Sequence, residues 1–443
     1  MGSKFAGLKQ LVLLLTVLLL LGGCATQTQH YTEIIDSVET SRYDEAVALV
    51  EKAREDNVYK KKDRVLYSLE LGLALHYAGN FELSNRRLAM ADDYITELFT
   101  RRISEIGFSF LSNDNQLPYP GEPYEDIYLN VFKALNYAGM QDKDAVFVEV
   151  RKIDEKLSYM RRRYEALAED YQSASLKEFG DTIDFEESEK KPDFEPGNSE
   201  FHTSALGRYL GYITRLAAEE RDGARIDLEK MKEAFLNQPG IYNFDFPDKA
   251  LPPRQSIPLN KARVNFLALL GRGPSKKQVD ERFKYKDYYV KFSFPVLEPG
   301  GTNISRVEIY DNTGKYLTKL AKLEDVNRVA QNVFSLSAPL AYSKAIVRGI
   351  AKGILGREVR KKAGNPWVSL LSLLTQEISE QADLRTTRLL PAEFHVGHLI
   401  VPANKETTLE LRYYSENKLI DVKKITMTFQ HDDANIVEVN KLI

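Results

Sequence analysis

Cysteine is almost missing from this chain of 443 residues: there is one, Cys24. No disulfide within the chain and no multi-cysteine metal site is available to it. Tryptophan also occurs once, as Trp367, and there are six histidines. The charge balance is close to even, with 61 basic and 64 acidic residues and a formal net charge of −3. That balance carries no sign of general nucleic-acid binding. Beyond the first two dozen residues there is no apolar run of the ~20 residues that a membrane helix needs. Familiar catalytic signatures are missing too. There is no phosphate-cradling glycine loop, no serine-nucleophile elbow and no zinc-protease helix motif. His395 and His398 are three apart, but in a strand they face opposite ways, so they make no metal pair. No cofactor, metal or catalytic residue is expected, and the chain reads as a non-enzyme.

What is present begins with the leader. Leu11 to Leu21 is apolar except for Thr16, Lys4 and Lys9 precede it, and no acidic residue comes before Cys24. A charged start, a short apolar centre and small residues make a secretion signal. The quartet Leu21-Gly22-Gly23-Cys24 resembles the lipobox of bacterial lipoproteins. That resemblance implies cleavage between Gly23 and Cys24 and acylation of Cys24, including palmitate. It also implies a mature chain held on a membrane by lipid, in the cell envelope. Ala25 takes the place where that family often has the aspartate of inner-membrane retention, which favours the outer membrane facing the periplasm. Loss of the leader removes two lysines, leaving 59 basic against 64 acidic residues, a net of −5.

The first half, 24–272, reads as helix pairs. Leu71 to Phe81 (LGLALHYAGNF) is echoed by Ala134 to Met140 (ALNYAGM). Each is a helical apolar pattern closed by a glycine suited to a left-handed helix end. Further copies are suggested by Ser41 to Ala46 and by Leu210-Gly211-Tyr212 with Arg221 to Ala224. These units resemble tetratricopeptide repeats, which implies an irregular α-solenoid. The spacing departs from that family, because Thr100 to Pro123 is inserted between the two best copies. In the third unit Val146, Val150, Ile153, Leu157, Met160, Tyr164, Leu167 and Tyr171 form a heptad seam. The seam packs on a neighbouring repeat or pairs with another subunit. The loop Leu117 to Pro123, rich in proline, offers tyrosines that bind a peptide or glycan or pack on the body. Gly180 to Glu200, acidic and poor in apolar residues, reads as a mobile insertion.

After Gly271-Arg272-Gly273-Pro274 the period changes. Val290, Phe292, Phe294 and Val296 alternate with polar residues, and Ile304 to Tyr310, Phe394 to Ile400, Leu409 to Arg412 and Leu419 to Phe429 add strands. The expected fold class is therefore α+β, with a sandwich-like β-rich domain over 284–443 and a helical insert near 322–380. In the insert Ala341, Ala345, Gly349 and Gly353 recur every four residues and form a face for close packing. Lys344, Arg348 and Lys352 make a second stripe, continued by Arg357, Arg360, Lys361 and Lys362. A second helix is expected from Pro366, with Trp367 on its apolar face. The pair is expected to pack on the sheet as a hairpin, or to touch anionic lipid or a partner through its basic stripe.

As a whole the chain resembles an uncharacterised family of bacterial outer-membrane lipoproteins with tetratricopeptide-like helices and a β-rich end. The residues that carry this are Leu129 to Leu157, Ala382-Asp383-Leu384-Arg385 and Leu390-Pro391-Ala392-Glu393. The resemblance implies a place in the envelope and no activity. The expected function is a lipid-anchored docking scaffold that recruits or stabilises an envelope complex. The alternatives are a structural subunit of a secretion, motility or cell-wall machine, and a protein that binds or acts on peptidoglycan. Its expected partners are the membrane and unidentified envelope proteins.

Overall fold

The computed structural model describes residues 31–110, 112–363 and 380–443. Gly23, Cys24 and Trp367 lie outside the described residues, as does the helix expected from Pro366. The side chains of Arg360, Lys361 and Lys362 also lie outside them. The chain is α+β, with helices through the first half and, in the second, sheets interrupted by one long helix.

The helical part comprises α1 (31–39), α2 (Tyr43–Glu55), α3 (Arg64–Tyr77), α4 (Phe81–Ser109), α5 (Pro123–Gly139), α6 (Lys143–Phe179), α7 (Ala205–Ala217) and α8 (Arg221–Asn237). The pairs α3/α4, α5/α6 and α7/α8 make the most extensive helix contacts, and each pair also touches the next. Small residues set the closeness of two crossings. A Cβ on Gly72 would sit 2.7 Å from a methyl of Leu88, and one on Gly211 would sit 2.8 Å from the Asp227 carboxylate. The two echoed glycines turn out to do different jobs. Gly79 ends α3 in the left-handed region at φ 74°, as its position predicts. Gly139 stays helical and is required for closeness instead, since the ring of Phe81 lies where a Cβ would be, and Gln141 takes the left-handed turn at φ 61°.

The heptad seam is spent inside the chain. Val146, Val150, Ile153, Leu157, Met160, Leu167 and Tyr171 are buried, Tyr164 is half-buried, and α6 is covered by α4, α5, α7 and α9. The 180–200 segment is also packed down rather than loose. Ile183 and Phe194 enter the core, the Glu189 amide donates to the Lys284 carbonyl (2.9 Å), and the Asp193 amide donates to Ser343 Oγ (2.8 Å). Two apolar anchors and backbone pairing suffice to fix a segment whose composition is otherwise that of a free loop.

The strands are β1 (Lys261–Leu270), β2 (Ser275–Tyr285), β3 (Tyr288–Glu298), β4 (Arg306–Asp311), β5 (Tyr316–Lys319), β6 (Ala321–Asp325), β7 (Glu393–Pro402), β8 (Glu406–Ser415), β9 (Lys418–Thr428) and β10 (Ile436–Lys441). They form a sheet in the order β10-β1-β7-β6, a second in the order β5-β4-β8-β9, and a β2-β3 hairpin. The central strand β1 runs parallel to β10 and antiparallel to β7. Its Val264, Phe266 and Ala268 meet Val307, Ile309 and Leu411 of the second sheet, while Leu267 and Leu269 join the helical core. The first sheet is thus a middle layer between the helices and the second sheet. The sheet part therefore begins at Lys261, not beyond residue 272. β1 is buried on both faces and shows no polar alternation, so its apolar run reads as readily as helix.

Between β6 and β7 lies α9 (Val326–Ala363). Its small face does pack closely, and against the hairpin: a Cβ on Gly349 would fall 2.8 Å from Val290 Cγ1, and one on Gly353 2.8 Å from the Tyr288 ring. No helix among the described residues is long and apolar enough to cross a membrane.

Candidate functional site

The polar residues that matter most lie where the helices meet the sheets. Leaving α9 and the residues that follow it, the chain returns as an irregular segment, 380–392, laid against the helices. Arg385 Nη1 meets Asp63 Oδ1 at 3.0 Å, and Nη2 donates to the Asp114 carbonyl at 2.9 Å. Its Nε and Nη2 also hold Asp383, at 2.8 and 2.7 Å. Burial works against the Asp383 carboxylate, yet the guanidinium beside it keeps its pKa below the usual value.

Glu125 grips the next two residues. One carboxylate oxygen accepts from Thr386 Oγ1 (2.9 Å) and from the Thr387 amide (2.6 Å). The other accepts from Tyr119 Oη (2.7 Å) and caps α5 at the Glu122 amide (2.8 Å). Since the Thr386 hydroxyl donates to Glu125, Tyr124 Oη donates to Thr386, at 2.6 Å. Further on, Tyr77 Oη donates to the Leu389 carbonyl (2.7 Å), and Leu389 and Leu390 sink into the helical core. Helix side chains thus read both the backbone and the side chains of an extended peptide belonging to the same chain.

Three further buried contacts join the halves. Glu324 accepts from Tyr128 Oη (2.9 Å), Tyr242 Oη (2.8 Å), Ser204 Oγ (3.0 Å) and the Leu206 amide (3.1 Å). Burial pushes its pKa up, against the pull of those donors. His76 bridges Asn136 Oδ1 (2.7 Å) and Glu438 Oε2 (3.0 Å). Lys276 pairs with Glu122; burial opposes its charge, but Glu122 and Asp383 hold its pKa above the ordinary lysine value.

The basic stripe of α9 points inward. Lys344 pairs with Asp114, Arg348 Nε meets Glu380 Oε2 at 3.1 Å, and Lys352 Nζ meets Glu380 Oε1 at 2.6 Å. Arg348 is only 1% exposed. Lys344 and Arg348 are thereby withdrawn from any membrane or partner contact, and Lys352 is neutralised. The physical reason is that Asp114 and Glu380 arrive from distant parts of the chain and make burial of the cations tolerable. Arg357 lies farther along and pairs with the exposed Asp287 at 2.5 Å. A cavity of about 80 Å³ borders this region, lined by Tyr119, Tyr164, Tyr171, Lys276, Lys344 and Asp383 among others. Its charges are already matched by Glu122, Asp114 and Arg385.

Among the described residues no cluster of three or more His, Cys, Asp and Glu side chains is placed to hold a metal. His395 bonds Glu393 (2.7 Å) and His398 bonds the Ala250 carbonyl (3.2 Å), each with its own partner. The loop tyrosine Tyr119 is buried and its amide donates to the Lys62 carbonyl (2.8 Å), so it packs on the body. Asp63, Glu125, Glu324 and Glu380 carry no spacing signal in the sequence; Arg385 appeared there only within a short resembling motif. Comparison with known protein families, curated proteins and solved structures finds no match.

Proposed function

We propose that the protein is a lipid-anchored cell-envelope protein, tethered through Cys24, whose folded body is a docking scaffold for an envelope complex. On this reading the helix pairs are an irregular tetratricopeptide-like array and the two sheets form a sandwich. The observation that supports it best is the grip of the helices on 383–390. Asp63, Glu125 and Tyr77 hold an extended segment by its arginine, its threonine and its backbone. Helix arrays that recognise peptides use groups of this kind. The buried ion pairs that join the halves favour a body presented to partners as one piece.

The subunit alternative would use the α6 seam, which is already covered within the chain. The scaffold reading is tested in cells. The full-length chain should label with palmitate, fractionate with the outer membrane and crosslink reproducibly to a small set of envelope proteins. Cys24→Ala should lose the label, the membrane fraction and those crosslinks together. A Cys24→Ala chain that stays membrane-bound and uncut overturns the anchor. An anchored chain that crosslinks to nothing above background overturns the scaffold.

A further inference from the structure

A second polar junction, away from the peptide groove, has the opposite character: its cations are not matched. Arg221 at the start of α8, Arg254 in the loop before β1, and Arg263 on β1 line one pocket of about 30 Å³. Arg221 donates to Ser256 Oγ and Arg263 Nη2 donates to the Gln255 carbonyl. Among the described residues none of the three makes an ion pair. Arg263 is 9% exposed, and its Nε is fully buried with no hydrogen-bond partner. His431 also lines the pocket, with Nδ1 on the Lys261 carbonyl at 2.7 Å. The acidic lining residues, Glu219 and Asp432, sit on the exposed rim and form no ion pair with the three arginines, although Glu219 acts on Arg263 from a distance. Other groups facing Arg263 include Tyr212, whose hydroxyl donates to the Pro252 carbonyl at 2.5 Å, and His398.

A buried guanidinium without an ion-pair partner is costly, and among the described residues the other buried arginines each have a carboxylate: Arg348 has Glu380 and Arg385 has Asp63. Arg263 is the exception, and it forms the floor of a pocket whose mouth carries two more arginines. We propose that this pocket binds a phosphate group. Three guanidiniums from three separate elements suit an oxyanion whose oxygens point in several directions, whereas a planar carboxylate is satisfied by one fork. The site is independent of the peptide groove and of the scaffold reading.

The test is equilibrium dialysis of the full-length chain in detergent against radiolabelled inorganic phosphate at fixed chloride. Saturable binding of one phosphate per chain is expected. It should weaken by about tenfold or more in Arg254→Ser and in Arg263→Met, the scale of one lost charged hydrogen bond. Arg225→Ser, an exposed arginine paired with Glu229, should bind as the unaltered chain does. Arg254 is exposed, so its variant keeps the test decisive even if Arg263→Met fails to fold. Acetate should not compete. Displacement of the bound phosphate by a short-chain, water-soluble phosphatidylglycerol assigns the site to a lipid headgroup, and displacement by glycerol phosphate but not by that lipid assigns it to a soluble molecule. The proposal is overturned by no saturable phosphate binding, by binding that survives the loss of Arg254, or by equal binding of acetate.

Discussion

Arg385 and Asp63 meet at 3.0 Å across 322 positions of sequence, and both are buried. One belongs to the segment leading into β7 and the other stands just before α3, so the pair ties the last third of the chain to the first helices. A buried pair broken on one side leaves a charge without compensation, which costs about 3–5 kcal/mol. Arg385→Met should destabilise the protein on that scale, since Asp63 and Asp383 both lose their cation. Asp63→Asn added to Arg385→Met should recover part of the loss. Urea unfolding followed by circular dichroism checks both, and a double variant no better than the single one counts against the pair.

His76 gives the junction a pH dependence. It is buried, and burial alone disfavours its charge, but Glu438 and Asn136 outweigh that and raise its pKa above the ordinary value. Its folded pKa therefore exceeds the unfolded one, about 6.5. The stability from the charged imidazole is fully present below pH 6.5 and disappears as pH rises through the folded value. His76→Gln should thus cost more at pH 6 than at pH 9. Denaturant midpoints of the two proteins across that range provide the measurement, and a constant gap excludes the linkage.

Glu70 has the same linkage sign as His76 but a different cause, since burial rather than a charged partner raises its pKa. Burial pushes its carboxyl up to about 8, although the Tyr59 hydroxyl and Arg388 pull against it. The folded state then holds a proton that the unfolded state releases near 4.3. Stability should fall as pH climbs from about 4.5 to 8, because the unfolded chain binds fewer protons there. Glu70→Gln, which keeps the shape and removes the charge, should raise the melting temperature relative to the unaltered chain at pH 9 and leave it nearly unchanged at pH 5. Equal effects at both values would contradict a protonated Glu70.

Local patterns in the chain were legible wherever they depend on period. The α6 seam and the small face of α9 are periodic, and each appears in the structure; β3 is a strand as its alternation predicts, but the burial alternates only through Val290 and Phe292, since Ser293 is buried too and Phe294 and Val296 are half-buried. What could not be read is pairing over long separations. Asp114 and Glu380 decide that Lys344, Arg348 and Lys352 turn inward, yet they lie 230, 32 and 28 positions from those cations. A stripe of lysine and arginine on a helix looks the same whether water or a carboxylate faces it. β1 was hidden for another reason: a strand buried on both faces loses the alternation that marks strands. The peptide groove shares the first difficulty, since its donors and acceptors are spread over α3, α5 and the loops before them.

Gly349 offers a test of the α9–β3 contact in which two effects oppose each other. Alanine is the better helix former by about 1 kcal/mol, so on an exposed helix Gly349→Ala would stabilise. Here the added Cβ would lie 2.8 Å from Val290 Cγ1 and 3.0 Å from the Lys291 carbonyl oxygen. The valine methyl could shift, but the carbonyl belongs to the β2–β3 ladder, where Lys291 pairs with Arg282, and cannot move alone. Overpacking of this kind costs about 1–3 kcal/mol, enough to cancel or exceed the gain in propensity. Gly349→Ala should therefore be neutral to destabilising, and Gly349→Val worse, with its larger β-branched side chain. Thermal melts of both variants decide the matter. An increase in melting temperature for Gly349→Ala would mean that α9 stands farther from the hairpin than this contact requires.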